Sequence, residues 1–292
     1  MGALTTELGL AWARRIGRRP LPAARRRTRW LAGPMRALMR RRARIVARNL
    51  ELCFPERDRA WRDAVAAEHF RMLAETAAEI AVCWTRTEPL DERAGEVIGL
   101  EHLEAARARG GVLLLTGHFT SLELGGRLVA ERVPVGGVYR PLRNARLNAF
   151  QNDGRGRYAG PMIPRDGLRA MVRHLRGGGV LWYAPDQDFG AERSVFAPFF
   201  GVETATLKGL PDLVRMGRAQ VVPMAAIKNP ATGRVRVTLE PGWSMGEAPI
   251  DAELARYNAF LERHVRRAPA QYWWVHRRFK TAPPGAPLRY PA

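Results

Sequence analysis

Cysteine is nearly absent from this 292-residue chain. Two residues, Cys53 and Cys83, cannot make a disulfide framework or a four-ligand zinc site, and nothing points to an oxidising compartment. Long apolar runs are missing as well. No uncharged stretch reaches the roughly 18 residues that a membrane-crossing helix needs. The opening MGALTTELGLAWA is broken by Glu7 and followed at once by Arg14 and Arg15, the reverse of the charge order in a cleaved signal peptide. Lysine is scarce too: of 48 basic residues only Lys208, Lys228 and Lys280 are lysines. Internal repeats and low-complexity linkers do not occur.

What is present is arginine and core-forming residues. Hydrophobic residues make up 46% of the chain, with eight Trp and ten Phe, enough to bury a substantial core. The formal net charge is +20, which calls for a polyanionic partner: an anionic membrane face, an acidic protein or substrate, or nucleic acid. The charge is concentrated. Residues 1–50 hold fourteen Arg, no Lys and one acid, Glu7, for a net +13. Leu4, Leu8, Trp12 and Ile16 recur there at helical spacing between arginine blocks, the pattern of a helix that lies in the plane of an anionic leaflet. No zinc spacing or RNP-type motif supports nucleic-acid binding. The reading is therefore a basic amphipathic membrane-associating segment over 1–34 and a catalytic domain over 35–292.

From Trp61 to Trp84 the apolar spacing predicts one long helix. Short apolar runs then alternate with helical stretches. Strands are predicted over 97–100, 111–117, 135–140, 178–185, 220–227 and 234–240. Helices are predicted over 101–109, 121–131, 144–152, 167–176, 204–216 and 251–267. This alternation specifies an α/β fold with a central sheet flanked by helices.

The segment GGVLLLTGHFTSLELGG carries the chemistry. A buried strand ends just before His118, and functional groups of open α/β sheets gather at the carboxyl ends of strands. An imidazole there can act as a general base at neutral pH, and Glu123, a helical turn further on, is expected to fix its tautomer. No Ser or Cys sits in a nucleophile elbow, so direct attack by a substrate hydroxyl fits better than an acyl-enzyme. His69, His102, His174 and His264 fall in predicted helices without such a setting.

GHFTSLELGG, GVYRP, LWYAPDQDFG with SVFAPFFG, and QYWWVHRRFKTAPPGAPLRY together resemble the late lipid A biosynthesis acyltransferases, the lauroyl/myristoyl acyltransferase family. RRRARIVARNLELCFPE is similar to the segment that opens the family's catalytic part, and the resemblance runs from about Met35 to the C-terminus. It implies a glycerol-phosphate-acyltransferase-like fold with a mixed central sheet and a helical, basic N-terminal portion. It implies acyl transfer from an acyl carrier protein thioester to a hydroxyl of a lipid A precursor at the cytoplasmic face of the inner membrane, with no metal or other cofactor. The catalytic pair of the family carries over to His118 and Glu123. Arg155 in DGRGRYAG, with Arg157 as the alternative register, and Asp186 in PDQD match further functional positions; Gln187 stands where the family often has His. Arg140, His276, Arg277, Arg278 and Lys280 are candidate contacts for phosphates or sugar carboxylates of the acceptor, groups whose paired oxygens suit the planar guanidinium fork of arginine. Trp273 and Trp274 are candidates for a lipid boundary or a core plug. A different acceptor, such as another glycolipid, an ornithine-type lipid or a lysophospholipid, fits the same His–acid chemistry. A basic nucleic-acid-binding protein is the remote alternative. The family's usual hydrophobic N-terminal anchor is here short and broken by charge, so peripheral attachment is expected.

Overall fold

A computed structural model of the chain describes residues 3–290. Residues 1–2 and 291–292, at the outer ends of the two expected segments, lie outside them. Five helices come first: α1 (Ala3–Gly17), α2 (Leu21–Arg29), α3 (Ala32–Leu38), α4 (Arg40–Cys53) and α5 (Arg59–Thr85). Asp58 starts α5 by accepting from the Trp61 N–H at 2.7 Å, satisfying one of the helix's orphan donors. The buried residues of α5 do not trace one stripe. Between His69 and Cys83 they run almost all round it, because α1 and α2 pack against the helix.

The α/β part alternates as expected: β1 (Gly95–Ile98), α6 (Leu100–Arg107), β2 (Val112–Leu115), α7 (Leu122–Ala130), β3 (Val135–Tyr139), α8 (Ala145–Arg155), β4 (Met162–Pro164), α9 (Leu168–Arg176) and β5 (Val180–Tyr183). A hairpin follows, β6 (Ser194–Phe199) and β7 (Val202–Leu207), then α10 (Gly209–Gly217), β8 (Gln220–Lys228), β9 (Val235–Leu239) and α11 (Ile250–Arg267). The seven-stranded sheet has the order β1-β9-β8-β2-β5-β3-β4, and every pair is parallel except β8–β9. The fold is thus a mixed, mostly parallel central sheet between helical layers.

Strand periodicity builds the core. Leu113, Leu115, Leu181 and Tyr183 point to one face, with α9, α10, α11 and the C-terminal aromatics; Val112, Leu114, Val180 and Trp182 point to the other, with α6 and α7. The parallel arrangement sets the carboxyl ends of β2, β5 and β3 along one edge, and the loops from that edge carry the candidate site.

Two expectations are corrected. The helix predicted over 204–216 begins only at Gly209, and Thr204–Leu207 belongs to a strand. Phe200 (φ 53°) and Gly201 (φ 71°) make a two-residue turn with both residues left-handed, which matches the twist of a hairpin and folds VETATL back on SVFAPF. Second, residues 3–34 are not a segment apart from the catalytic fold. Ile16, Leu21 and Ala24 enter the core with Ala78, Ala81 and Val82. Arg25 is buried and its Nε donates to Glu79 at 2.8 Å; Lys228, at the end of β8, donates to Glu75 at 2.6 Å and Glu79 at 3.0 Å. This buried ion network, extended by Arg29 to Glu75, ties α2 to α5 and the sheet. The outer surface of these helices is different. Leu4, Leu8, Trp30 and Leu38 are 62–85% exposed, and Trp12 is partly so. Among the described residues no helix is long and apolar enough to cross a membrane.

Candidate active site

His118 lies in the short loop between β2 and α7, before the helix begins. Its ring is paired across the sheet edge with Asp186, from the loop after the neighbouring strand β5. The Asp186 carboxylate accepts from the His118 backbone N–H at 2.8 Å through Oδ2 and meets Nδ1 at 2.5 Å through Oδ1. Gly117 permits this approach, since a Cβ there would sit 2.5 Å from the Leu261 side chain and crowd Asp186. Asp186 is buried, while the His118 side chain is 29% exposed. Burial alone would push the Asp186 carboxyl up. The charge and two hydrogen bonds of His118 outweigh it and bring the pKa down to about 2. Asp186 is therefore an ionised acceptor; when the His118 ring is neutral, Nδ1 carries the proton that Asp186 receives and Nε2 keeps its lone pair.

Glu123 does something else. It sits in the first turn of α7, turned toward α5 and α8, and both oxygens are taken. Arg155 donates to it through Nε at 2.8 Å and Nη2 at 2.5 Å, the Tyr158 hydroxyl at 2.7 Å and the Trp84 indole at 2.6 Å. Burial would raise its pKa, but the Arg155 charge and these bonds hold it below the ordinary carboxylate range. The expectation that Glu123 fixes the His118 tautomer is thus corrected: His118 precedes the helix, so the two residues do not share a helical register, and the carboxylate on His118 comes from another strand. Arg155 also lies over the Trp84 ring, and its pKa is raised because the pairing with Glu123 overcomes desolvation.

The C-terminal segment closes the site. It runs antiparallel to the His118 loop: Thr120 N–H donates to Gln271 O, Phe119 bridges Tyr272, and Trp273 N–H donates to His118 O. His276 lines the same small cavity as His118, Asp186 and Asn49. Desolvation lowers the His276 pKa to about 4, so it is neutral, and its Nε2 accepts from the Asp188 N–H at 3.0 Å. Its proton is consequently on Nδ1, which remains a donor. The Asp188 carboxylate is held in turn by Gly190 and Thr281. Asn49 on α4 donates to the carbonyls of Trp274 and His276 and accepts from the Tyr290 hydroxyl.

The remaining sequence candidates divide. Arg140 is exposed just past β3. Arg157 donates to the Trp84 carbonyl and so supports the Glu123 cluster from outside. Arg277 lies over the Tyr290 ring. Arg278 is corrected as a free phosphate contact. It is buried, Nη1 donates to Ala205 O at 2.6 Å and Nη2 reaches Thr206, so its guanidinium anchors the β6–β7 hairpin. Lys280 is exposed; Trp274 is fully buried, the core plug, and Trp273 is partly exposed. Sequence reasoning missed Trp84, Tyr158 and Asn49 as partners in the site. Tyr158 was within reach of it, standing three residues after Arg155 at helical spacing. A cavity of about 920 Å³, lined by Trp61, Met72, Ile98, Ile227 and Pro269 among others, holds none of these site residues.

The family model described as bacterial lipid A biosynthesis acyltransferase matches residues 2–281. The lipid A biosynthesis lauroyltransferase of Escherichia coli (strain K12) is 40% identical over 255 residues, covering 86% of this chain and 83% of the relative. The palmitoleoyltransferase of the same organism is 36% identical, covering 87% and 84%, and its myristoyltransferase is 31% identical, covering 87% and 79%. A solved structure, the 1-acyl-sn-glycerophosphate acyltransferase of Thermotoga maritima, aligns with a TM-score of 0.38 at 14% identity, covering 75% of this chain and 91% of that one.

Proposed function

This chain belongs to the bacterial lipid A biosynthesis acyltransferase family, and from that premise we propose that it moves a fatty acyl chain from an acyl carrier protein thioester to a hydroxyl of a lipid A precursor, with His118 as the general base. The observation that carries the mechanism is the His118–Asp186 pair at the carboxyl edge of the sheet.

The free Nε2 of His118 takes the proton of the acceptor hydroxyl as its oxygen attacks the thioester carbonyl. Asp186 keeps the ring in the required tautomer and offsets the positive charge that forms on it. The tetrahedral oxyanion needs a donor, and the Nδ1–H of neutral His276, in the same cavity, supplies one. Collapse of the intermediate breaks the carbon–sulfur bond, and the imidazolium returns its proton to the departing pantetheine thiolate. Glu123 and Arg155 are positioning residues here: with Tyr158 and Trp84 they lock α5, α7 and α8 together beside the His118 loop.

The protein works as a peripheral enzyme on the cytoplasmic face of the inner membrane. The exposed Leu4, Leu8, Trp30 and Leu38 enter the leaflet, and the arginines around them meet its anionic headgroups.

The test is incubation of the purified protein with lipid A precursor and acyl carrier protein loaded with C10 to C16 chains, read by mass spectrometry. The expected result is a mass gain of one acyl chain on the precursor. Acylation of a lysophospholipid or ornithine-type lipid, with none on the precursor, would refute the acceptor; no transfer to any of them would refute the reading.

A further inference from the structure

A second concave site lies on the same helix that touches the reactive cavity. It is a groove of about 520 Å³ between α4, the start of α5 and the C-terminal segment. Six arginines line it, Arg41, Arg44, Arg48, Arg59, Arg62 and Arg277, against two carboxylates, Glu51 and Asp63. The carboxylates are already used, Glu51 by Arg48 and Asp63 by Arg59. Arg62 is spent on the carbonyls of Arg57 and Phe54. The Arg41 and Arg44 side chains carry no ion pair or hydrogen bond among the described residues. Arg277 lies 4.9 Å over the Tyr290 ring, and its Nε is a buried donor with no partner. A buried guanidinium N–H without an acceptor is costly and calls for one.

The groove is joined to the reactive centre twice. Arg277 follows His276 in the chain, and α4 bears Arg41, Arg44 and Arg48 on the groove side while Asn49 reaches the His118 cavity. At 1.5 Å per residue, Arg41 and Asn49 are about 12 Å apart along the helix, roughly the size of a sugar with its substituents.

We propose that this groove seats a phosphate monoester on the sugar headgroup of the acceptor, with Arg41, Arg44 and Arg277 as its ligands. This rests on the reading of the chain as an acyltransferase of a lipid A precursor. Arginine forks pair with phosphate oxygens two at a time. A monoester carries about −1.5 to −2 charges near pH 7, which matches several unpaired guanidiniums better than the single charge of the pantetheine phosphodiester on the donor. The groove is also concave and holds one aromatic ring, Tyr290, suited to a phosphorylated sugar and too small for a protein partner.

The experiment has a binding arm and a kinetic arm, on the full chain. In the first, titration calorimetry compares glucosamine 1-phosphate, unphosphorylated glucosamine and the methyl phosphodiester of 4′-phosphopantetheine, which carries the single charge of the donor's linkage. In the second, KM is measured for phosphorylated acceptor and for acyl carrier protein donor. Variants are Arg44→Ala, Arg277→Ala and, as a charge-matched surface control, Arg107→Ala, each checked by melting temperature. The expected result is binding of the phosphosugar alone, weakened tenfold or more by Arg44→Ala and Arg277→Ala and not by Arg107→Ala. Acceptor KM rises by a similar factor and donor KM stays constant. Equal binding by the variants, or preference for the pantetheine phosphodiester with a raised donor KM, overturns the proposal. If the phosphosugar binds as expected but no acyl transfer occurs with any acceptor, the groove stands and the functional reading fails.

Discussion

Asp186 grips His118 at two points, accepting from its backbone N–H at 2.8 Å and from its ring Nδ1 at 2.5 Å. One carboxylate therefore sets both the position of the loop after β2 and the tautomer of the imidazole on it. The buried end of the pair is the acid and the solvent-facing end is the imidazole, which in the proposed mechanism handles the moving proton at Nε2, away from Asp186.

Asp186→Asn keeps the size of the side chain but removes its charge and lets the ring adopt the wrong tautomer. Acyl transfer is expected to fall by about 10³- to 10⁴-fold in kcat, with little change in KM. The acid limb of stability changes too. The folded pKa of about 2 lies below the ordinary value of 3.8, so the contribution of Asp186 is complete above about pH 4 and is lost as pH falls through about 2. Urea unfolding between pH 2 and 5 should show this part of the pH dependence missing in Asp186→Asn.

Glu123→Gln leaves Arg155 buried without its counter-charge. Breaking one side of such a pair costs about 3–5 kcal/mol, so the midpoint of urea unfolding should shift strongly. Removing both charges, with Glu123→Gln and Arg155→Met together, should restore part of that loss. The pH–rate profile of the double variant should keep the wild-type shape, because neither residue touches the proton on His118; a changed profile would contradict the positioning role.

His276→Phe retains a flat ring but no N–H. If its Nδ1–H meets the oxyanion, kcat should fall by about 10²- to 10³-fold while KM holds. His276→Asn places an amide N–H near the Nδ1 position and should recover part of kcat, which a role limited to packing does not predict. Steady-state kinetics of the two variants decide it.

Leu8→Asp and Trp30→Asp place charge on the exposed apolar surface of α1 and the α2–α3 turn that we propose enters the leaflet. Each buried apolar side chain is worth about 1.5–3 kcal/mol, so sedimentation with anionic vesicles should weaken by roughly tenfold or more per substitution, with folding unchanged. Added salt should weaken the wild type further, since arginines supply the rest of the attraction.

How far the sequence foretold this structure depended on whether neighbours along the chain or across it made the decision. The VLLL strand and the long helix from Trp61 to Trp84 announce themselves through local periodicity, and both are where the pattern puts them, at Val112–Leu115 and within Arg59–Thr85. The β6–β7 hairpin was passed over because its turn uses a left-handed Phe200 in place of the usual Asn or Asp. The burial of Arg25 depends on Glu79 and Lys228, far along the chain, and arginine-rich composition alone reads as surface. His118 and Asp186 were each visible as loop residues after buried strands. That they pair with one another required the strand order, which places β2 beside β5. Glu123 lay nearer in sequence and drew the assignment, while its true partners sit on α5 and α8.

His118→Ala removes the proposed general base and leaves the rest of the site in place. Transfer from acyl carrier protein loaded with a matched chain to lipid A precursor is followed by mass spectrometry, alongside circular dichroism and melting temperature. Loss of the acylated product by about 10³-fold or more is expected in a protein that keeps its fold. Substantial turnover by a folded His118→Ala protein would contradict the general-base role.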